Sequence, residues 1–247
     1  MRIIQKLYNP HCLTNKKMKK ITIIYLIFLS TITNAQTLKG IYITQNQTGI
    51  GGDSKISEKA KIPKLYKYTY SKNKSNLVLL NNGGKIIDTL KKKLEEYNFE
   101  YETVETTITA SKVNYFKDFN KKVYEKISVL ENTETYIKDS IPQINWKITG
   151  EKKSISGYEC TKAIADRKVM GYPLKISAWF CDKIPINDGP FDFQGLPGFI
   201  LELSVDGLSI TKFVNLEYDE NTTLDIQPEP SNEKPKTVTE FEKSIGG

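Results

Sequence analysis

The sequence predicts a mainly β protein: an antiparallel meander forming a curved sheet or partly open barrel, with at most one short helix. Short runs alternate apolar with polar residues along most of the chain, polar turns containing Gly, Asn or Pro separate them, and no long stretch keeps a convincing helical period. The strongest turn signal, Gly195-Leu196-Pro197-Gly198, runs directly into the strongest strand signal, Phe199-Ile200-Leu201-Glu202-Leu203. Pro197 presets the backbone for the first central position of a turn, and Gly198 offers the positive φ that a type II turn needs at the second. The chain is therefore expected to reverse there and enter a buried strand.

The N-terminal tract reads as targeting sequence. Lys19-Lys20, the apolar run 21–29 and the small residues Thr33 and Ala35 form a secretory signal peptide over 18–35, with cleavage expected before Gln36. Its apolar part is too short to span a bilayer comfortably. Met18 is the expected start, which makes residues 1–17 an upstream extension. The first 35 residues hold six basic side chains and no acid, so their removal takes the formal charge from +7 to +1. A basic chain points to nucleic acid or anionic lipid, but here the excess sits almost wholly in the leader, and nucleic acid is dropped as a partner. The cut also removes His11, the single histidine, and Cys12. A chain of 247 − 35 = 212 residues remains, a length that suits a single domain over 36–227.

In chain order, 38–45 reads as a first strand and 46–61 as a polar loop. Tyr66, Tyr68 and Tyr70 alternate with Lys67 and Thr69, which places three rings on one face of a second strand. Residues 77–80, the turn Asn82-Gly83-Gly84 and Ile86-Ile87 read as a hairpin. Lys91-Lys92-Lys93 and Glu95-Glu96, with Leu90, Leu94 and Tyr97, form the best helical competitor. Alternation resumes over 97–108, 113–119, 123–130 and 135–138, then over 143–149 and 154–158. Ile184-Pro185 and Asn187-Asp188-Gly189-Pro190 cannot sit inside a paired strand, because each proline lacks a donor; they form a loop delivering Phe191 and Phe193 to the 195–198 turn. A two-residue loop at Asp206-Gly207 would set Val205 opposite Leu208 and Leu203 opposite Ile210. Residues 228–247, with Pro228, Pro230 and Pro235 among charges, read as a flexible tail.

The remaining cysteines, Cys160 and Cys181, are an even pair in an exported chain, which favours a disulfide. If Met170-Gly171 closes a two-residue hairpin, Val169 faces Tyr172 and opposing residue numbers sum to 341, which sets Cys160 against Cys181. The same register pairs Asp166 with Lys175, and it places Pro173 in a non-hydrogen-bonded position where its missing N–H costs nothing. One face becomes Ala163, Ala165, Leu174, Ile176, Ala178 and Phe180; the bridge would lie on the other, more polar face with Lys162, Lys175, Ser177 and Trp179. The alternative is a pair of small buried thiols.

Cys160-x-Lys162-Ala163, Ala178-Trp179-Phe180, Ile184-Pro185, Gly189-Pro190 and Gly195-Leu196-Pro197-Gly198-Phe199-Ile200 together resemble the GLPGLI family of exported bacterial envelope proteins. The likeness is strongest over 155–210, and Phe199 stands where leucine is usual. It implies export and a compact sheet domain. No established reaction comes with it, so no catalytic residue is carried over.

Without His11 there is no imidazole to serve as a base, and two cysteines are too few for a zinc site. Asp182, Asp188 and Asp192 crowd one loop as weak calcium ligands or an acid pair, though Asn187-Asp188-Gly189 is also a simple turn former. Tyr66, Tyr68, Tyr70 and Trp179 could line a ligand groove or pack across strands. The expected function is that of an exported, non-enzymatic envelope protein, periplasmic or extracellular, holding an apolar ligand or a protein partner on a curved sheet and using no cofactor. The alternatives are an assembly partner of an outer-membrane complex and a carboxylate- or calcium-dependent enzyme.

Overall fold

The structure is a computed structural model; it describes residues 36–47, 62–80, 96–97, 111–130, 132–169 and 171–245, which belong to one compact unit, Gln36–Gly247. Several expectations lie outside the described residues: the extension 1–17, the signal peptide 18–35, most of the 46–61 loop, the Asn82-Gly83-Gly84 turn, Ile86-Ile87, the strand at 98–108 and all but the end of the helical competitor. Eleven strands are seen: β1 Thr37–Asn46, β2 Lys64–Ser71, β3 Lys74–Leu79, β4 Ser111–Asp118, β5 Val123–Leu130, β6 Thr133–Ser140, β7 Lys147–Ile155, β8 Tyr158–Val169, β9 Tyr172–Cys181, β10 Phe199–Val205 and β11 Ser209–Asp219. Among the described residues a helix, α1, spans Val238–Ile245.

All ten strand pairs are antiparallel, and the sheet order is β6-β5-β4-β3-β2-β1-β11-β10-β9-β8-β7. The chain starts mid-sheet, meanders to one edge at β6, crosses to the opposite edge at β7, and meanders back until β11 pairs with β1. Only residues 141–146 make that crossing. Eleven strands spaced about 4.8 Å apart would lie nearly 50 Å across if flat, whereas the seven steps from Ser140 to Lys147 reach about 25 Å at most. The sheet must therefore curl. It remains unclosed, since β6 and β7 do not pair.

The β8–β9 register is the expected one: Val169 faces Tyr172, Lys168 faces Pro173 and Asp166 faces Lys175. Ala163, Ala165, Ile176, Ala178 and Phe180 are buried on the apolar face. Other expectations are corrected. The hairpin into β3 turns at Lys72-Asn73, where both residues have positive φ (51° and 56°), and not only after residue 80; this is the pattern that a two-residue hairpin's twist demands. Residues 141–146 are not strand, because they bridge the edges. The β10–β11 register is one residue longer than expected, with Val205 opposite Ser209 and Leu203 opposite Thr211. The loop takes in Asp206, Gly207 and Leu208, with Gly207 at φ 68° and the Leu208 N–H donating to the Val205 carbonyl at 2.9 Å. Leu203 is buried as expected, and Ile210 is half-buried.

The segment after β11 is tied to the sheet: Thr37 Oγ1 donates to the Thr222 carbonyl at 2.6 Å and the Leu224 N–H donates to Ser71 Oγ at 2.9 Å. Within 228–247, expected as a flexible tail, Lys236 pairs in parallel with Ile137 on the β6 edge. Thr237 and Glu240 then form a reciprocal capping box, Glu240 N–H to Thr237 Oγ1 at 3.2 Å and Thr237 N–H to Glu240 Oε2 at 2.7 Å. Val238 and Phe241 of α1 pack on Tyr124, Ile137 and Ile141.

The principal core joins Tyr42, Tyr68, Phe199 and Phe213, whose ring centroids lie 4.6 Å (Tyr42–Phe213), 4.9 Å (Phe199–Phe213) and 5.2 Å (Tyr68–Phe199) apart. Gly40, at the register shift in β1, makes this possible: a Cβ there would overlap the Phe213 ring. We predict that Gly40→Ala destabilises the protein by about 1–3 kcal/mol, the usual cost of overpacking; a urea midpoint unchanged from the parent would refute this account of the core.

Candidate functional site

Residues 182–198, between β9 and β10, form a plug against the sheet. Ile184, Ile186 and Leu196 are almost wholly buried, the first two with Tyr42, Tyr68 and Phe199 and the third with Phe180, Ile200 and Leu203. The segment is tied to itself by short-range bonds, the Ile186 N–H donating to the Ile184 carbonyl (2.7 Å) and the Asp188 N–H to Ile186 (2.8 Å), and to β10 by the Ile200 N–H, which donates to the Asp188 carbonyl (3.0 Å). Pro185 and Pro190 fit because neither position needs a donor. The 195–198 turn differs from the type II expectation. The Gly198 N–H donates to the Leu196 carbonyl at 2.8 Å, a three-residue turn centred on Pro197, and both Gly195 (φ 92°) and Gly198 (φ 156°) carry positive φ. Gly198 is needed for a second reason as well, since a Cβ there would overlap the Cys181 carbonyl.

Asp188 is the centre of the plug. Its side chain is 0% exposed and forms an ion pair with Lys117 of β4, itself 3% exposed. Tyr68 Oη donates to Asp188 Oδ2 at 2.8 Å, the Gly189 N–H donates to Asp188 Oδ1 at 2.7 Å, and Lys117 Nζ also donates to the Gly189 carbonyl at 3.0 Å. Burial, reinforced by the negative charge of Asp188, pushes the Tyr68 phenol well above its ordinary value and keeps it protonated as a donor. Tyr42 is raised in the same way, and its hydroxyl donates to the Ile200 carbonyl at 2.5 Å. The plug also holds the edge-to-edge crossing: Gln194 Nε2 donates to the Pro142 carbonyl at 2.6 Å, and Trp146 Nε1 donates to the Gln194 carbonyl at 2.8 Å.

The three carboxylates proposed as a calcium or acid site are not brought together. Asp188 is committed to Lys117, Asp192 pairs with Arg167 at 2.5 Å, and Asp182 stands exposed in a turn. The tyrosine stripe packs inside and lines no open surface: Tyr66, Tyr68 and Tyr70 are all buried, with Tyr66 edge-on to Phe191 of the plug at 5.3 Å. Trp179 is half-buried beneath Lys153 Nζ, 4.4 Å from the ring centroid, and Lys153 in turn pairs with Glu202 at 2.8 Å. Cys160 and Cys181 are fully buried in the principal core, not on a polar face, and Cys160 Sγ lies 3.5 Å from the Tyr158 carbonyl.

Lys117 escaped the sequence reading, although a signal was there. Val113, Tyr115, Lys117 and Phe119 share one parity along β4 and its end, and the three apolar members pack on the core. A lysine in that stripe needs a buried acid.

The strands β7 to β10 frame a separate groove of about 500 Å³, lined among others by Lys147, Lys162, Lys175, Asp166, Asp206 and Ser177. Lys162 also bonds both oxygens of Glu151, at 3.0 and 3.1 Å.

Residues 166–202, which carry β9, the plug and the start of β10, match a family described as a protein of unknown function (Porph_ging). Two solved structures of PNGF-II, in the C2 and P21 space groups, resemble the chain at 15% and 17% identity with TM-scores of 0.49 and 0.50, over 86% and 85% of its length. The chain spans 33% of the length of each. At 17% identity the second likeness is one of fold. No curated protein matches the chain.

Removing one member of the buried pair leaves an uncompensated charge, so Asp188→Ala is expected to cost about 3–5 kcal/mol, while the double variant Lys117→Met/Asp188→Leu recovers much of that loss. Denaturant unfolding checks both; equal losses in the single and double variants would show that shape rather than charge governs the site.

Proposed function

We propose that the chain is an exported, GLPGLI-type envelope protein, carried out by residues 18–35, that acts as a non-enzymatic binding module for a protein partner. Of the two ligand classes that the aromatic content suggested, the polar macromolecule is favoured over the apolar small molecule. The observation behind this preference is the distribution of surfaces: the tyrosines pack against the plug, while the groove on β7 to β10 sets lysines, aspartates and serines around Ile164, Ala165 and Ile176. Three lysines against two aspartates among those groove residues suit an extended acidic segment, attracted by charge and fixed by hydrogen bonds. The role is in the periplasm or outside the cell, alone or within an outer-membrane assembly. In that compartment Cys160 and Cys181, opposite one another in the continued β8–β9 register, form a disulfide; their two electrons and two protons pass to a thiol–disulfide oxidant.

A photo-crosslinking residue at Ser177, expressed in the native envelope, is expected to give one discrete protein adduct whose yield falls at least about tenfold on Lys162→Glu/Lys175→Glu. Adducts indifferent to that charge reversal, or a lipid retained in stoichiometric amount, overturn the reading. The cysteines are checked separately by thiol titration of the unfolded chain without reductant: the disulfide leaves none of the 160 and 181 thiols to react, and two reacting thiols rule it out.

A further inference from the structure

A charged pair in a core of tyrosine and phenylalanine is costly unless it does something that an apolar pair would not. Lys117 Nζ touches Asp188 Oδ1, both side chains are at or below 3% exposure, and the surroundings supply the groups that an acyl substitution needs. We propose that Lys117 and Asp188 condense to an intramolecular isopeptide bond, joining β4 covalently to the plug.

The chemistry balances without a co-reactant. A proton passes from the Lys117 ammonium to Asp188 Oδ1 across their direct contact, leaving a nucleophilic amine beside a carboxylic acid. The Nζ lone pair then attacks Asp188 Cγ. Oδ2 takes the developing negative charge and is held by the Tyr68 hydroxyl, which donates to it at 2.8 Å in the manner of a single oxyanion-hole donor. Oδ1, which received the first proton across the direct contact, is the leaving oxygen, and the Gly189 N–H donates to it at 2.7 Å. The Nζ–Cγ bond forms, a second proton passes from Nζ to Oδ1, the Cγ–Oδ1 bond breaks, and one water departs, leaving Oδ2 as the amide oxygen. Positioning supplies much of the rate: Lys117 Nζ is anchored by the Gly189 carbonyl at 3.0 Å, next to the reacting carbon, so the encounter is already made in the fold. The bond would close a loop across 71 positions of sequence, and it would convert the plug's attachment from an ion pair into a covalent one.

The test is intact-mass and peptide mass spectrometry of the purified full chain. A species one water lighter than its sequence is expected, together with a branched tryptic peptide joining the β4 and plug segments and loss of cleavage after Lys117. Lys117→Arg should restore the full mass, and Tyr68→Phe should slow the loss of water at least about tenfold, since removing one oxyanion-hole donor usually costs more than that. Asp188-Gly189 can also lose one water by cyclising to a succinimide, so the branch point decides: a water loss confined to an unbranched plug peptide overturns the proposal. A full-mass parent chain overturns it as well, whether or not the variants fold.

Discussion

Six residues must carry the chain from one edge of an eleven-stranded sheet to the other, and that reach limit governs the rest of the structure. It bends the sheet until its inner surface faces itself, and a curled sheet of this width encloses more space than its own side chains fill. The plug is the response. It enters between β9 and β10, places isoleucines against the ring cluster, and uses Gln194 to hold residues 141–146 in their crossing. Curvature and filling are therefore coupled: the segment that fills the interior also fixes the strap that closes it.

Filling the interior with a loop rather than with strands brings backbone polar groups into an apolar space, and these must be satisfied. The plug does this in two ways. Successive short-range bonds at Ile184, Ile186 and Asp188 absorb much of its own backbone, and the prolines remove three donors. Polar side chains entering the core from the sheet meet further groups: Lys117 on the Gly189 carbonyl and Tyr68 on the Asp188 carboxylate. Burial of charge is expensive, and the density of hydrogen bonds around Asp188 offsets part of that cost.

The parts of this fold legible in the sequence are those set by local alternation. The β8–β9 register followed from one turn and from the position of Pro173, because a single residue's slip would have inverted the face carrying Ala163, Ile176 and Phe180. The burial of Leu203 followed similarly. What was not legible depends on partners far away in sequence. Nothing near residues 195–198 announces that Gly198 must lie on the Cys181 carbonyl, so the turn was read from its dipeptide alone. Asp188 was read as a turn former beside Gly189, because its true determinant, Lys117, sits 71 residues upstream. The C-terminal helix is a different failure. Its capping box, Thr237-Val238-Thr239-Glu240, was in plain view, but three prolines upstream set the expectation of disorder for the whole segment.

The same coupling bears on where recognition takes place. An aromatic-rich curved sheet invites the reading of an apolar binding cavity, and the plug is the natural candidate for a lid over it. Yet opening it would strip the Tyr68 hydroxyl of its acceptor and leave Lys117 facing a ring cluster without its acid, two losses incurred together. A lid belongs to the weakly held parts of a structure; this segment is among the most tightly bonded. Recognition that does not dismantle the core must use an outer surface. The groove on β7 to β10 meets that requirement: its three lysines, Asp166 and Ser177 stand on strands β7 to β9, which the packed interior fixes through Ala163 and Ala178, so these groups are held in place before any partner arrives.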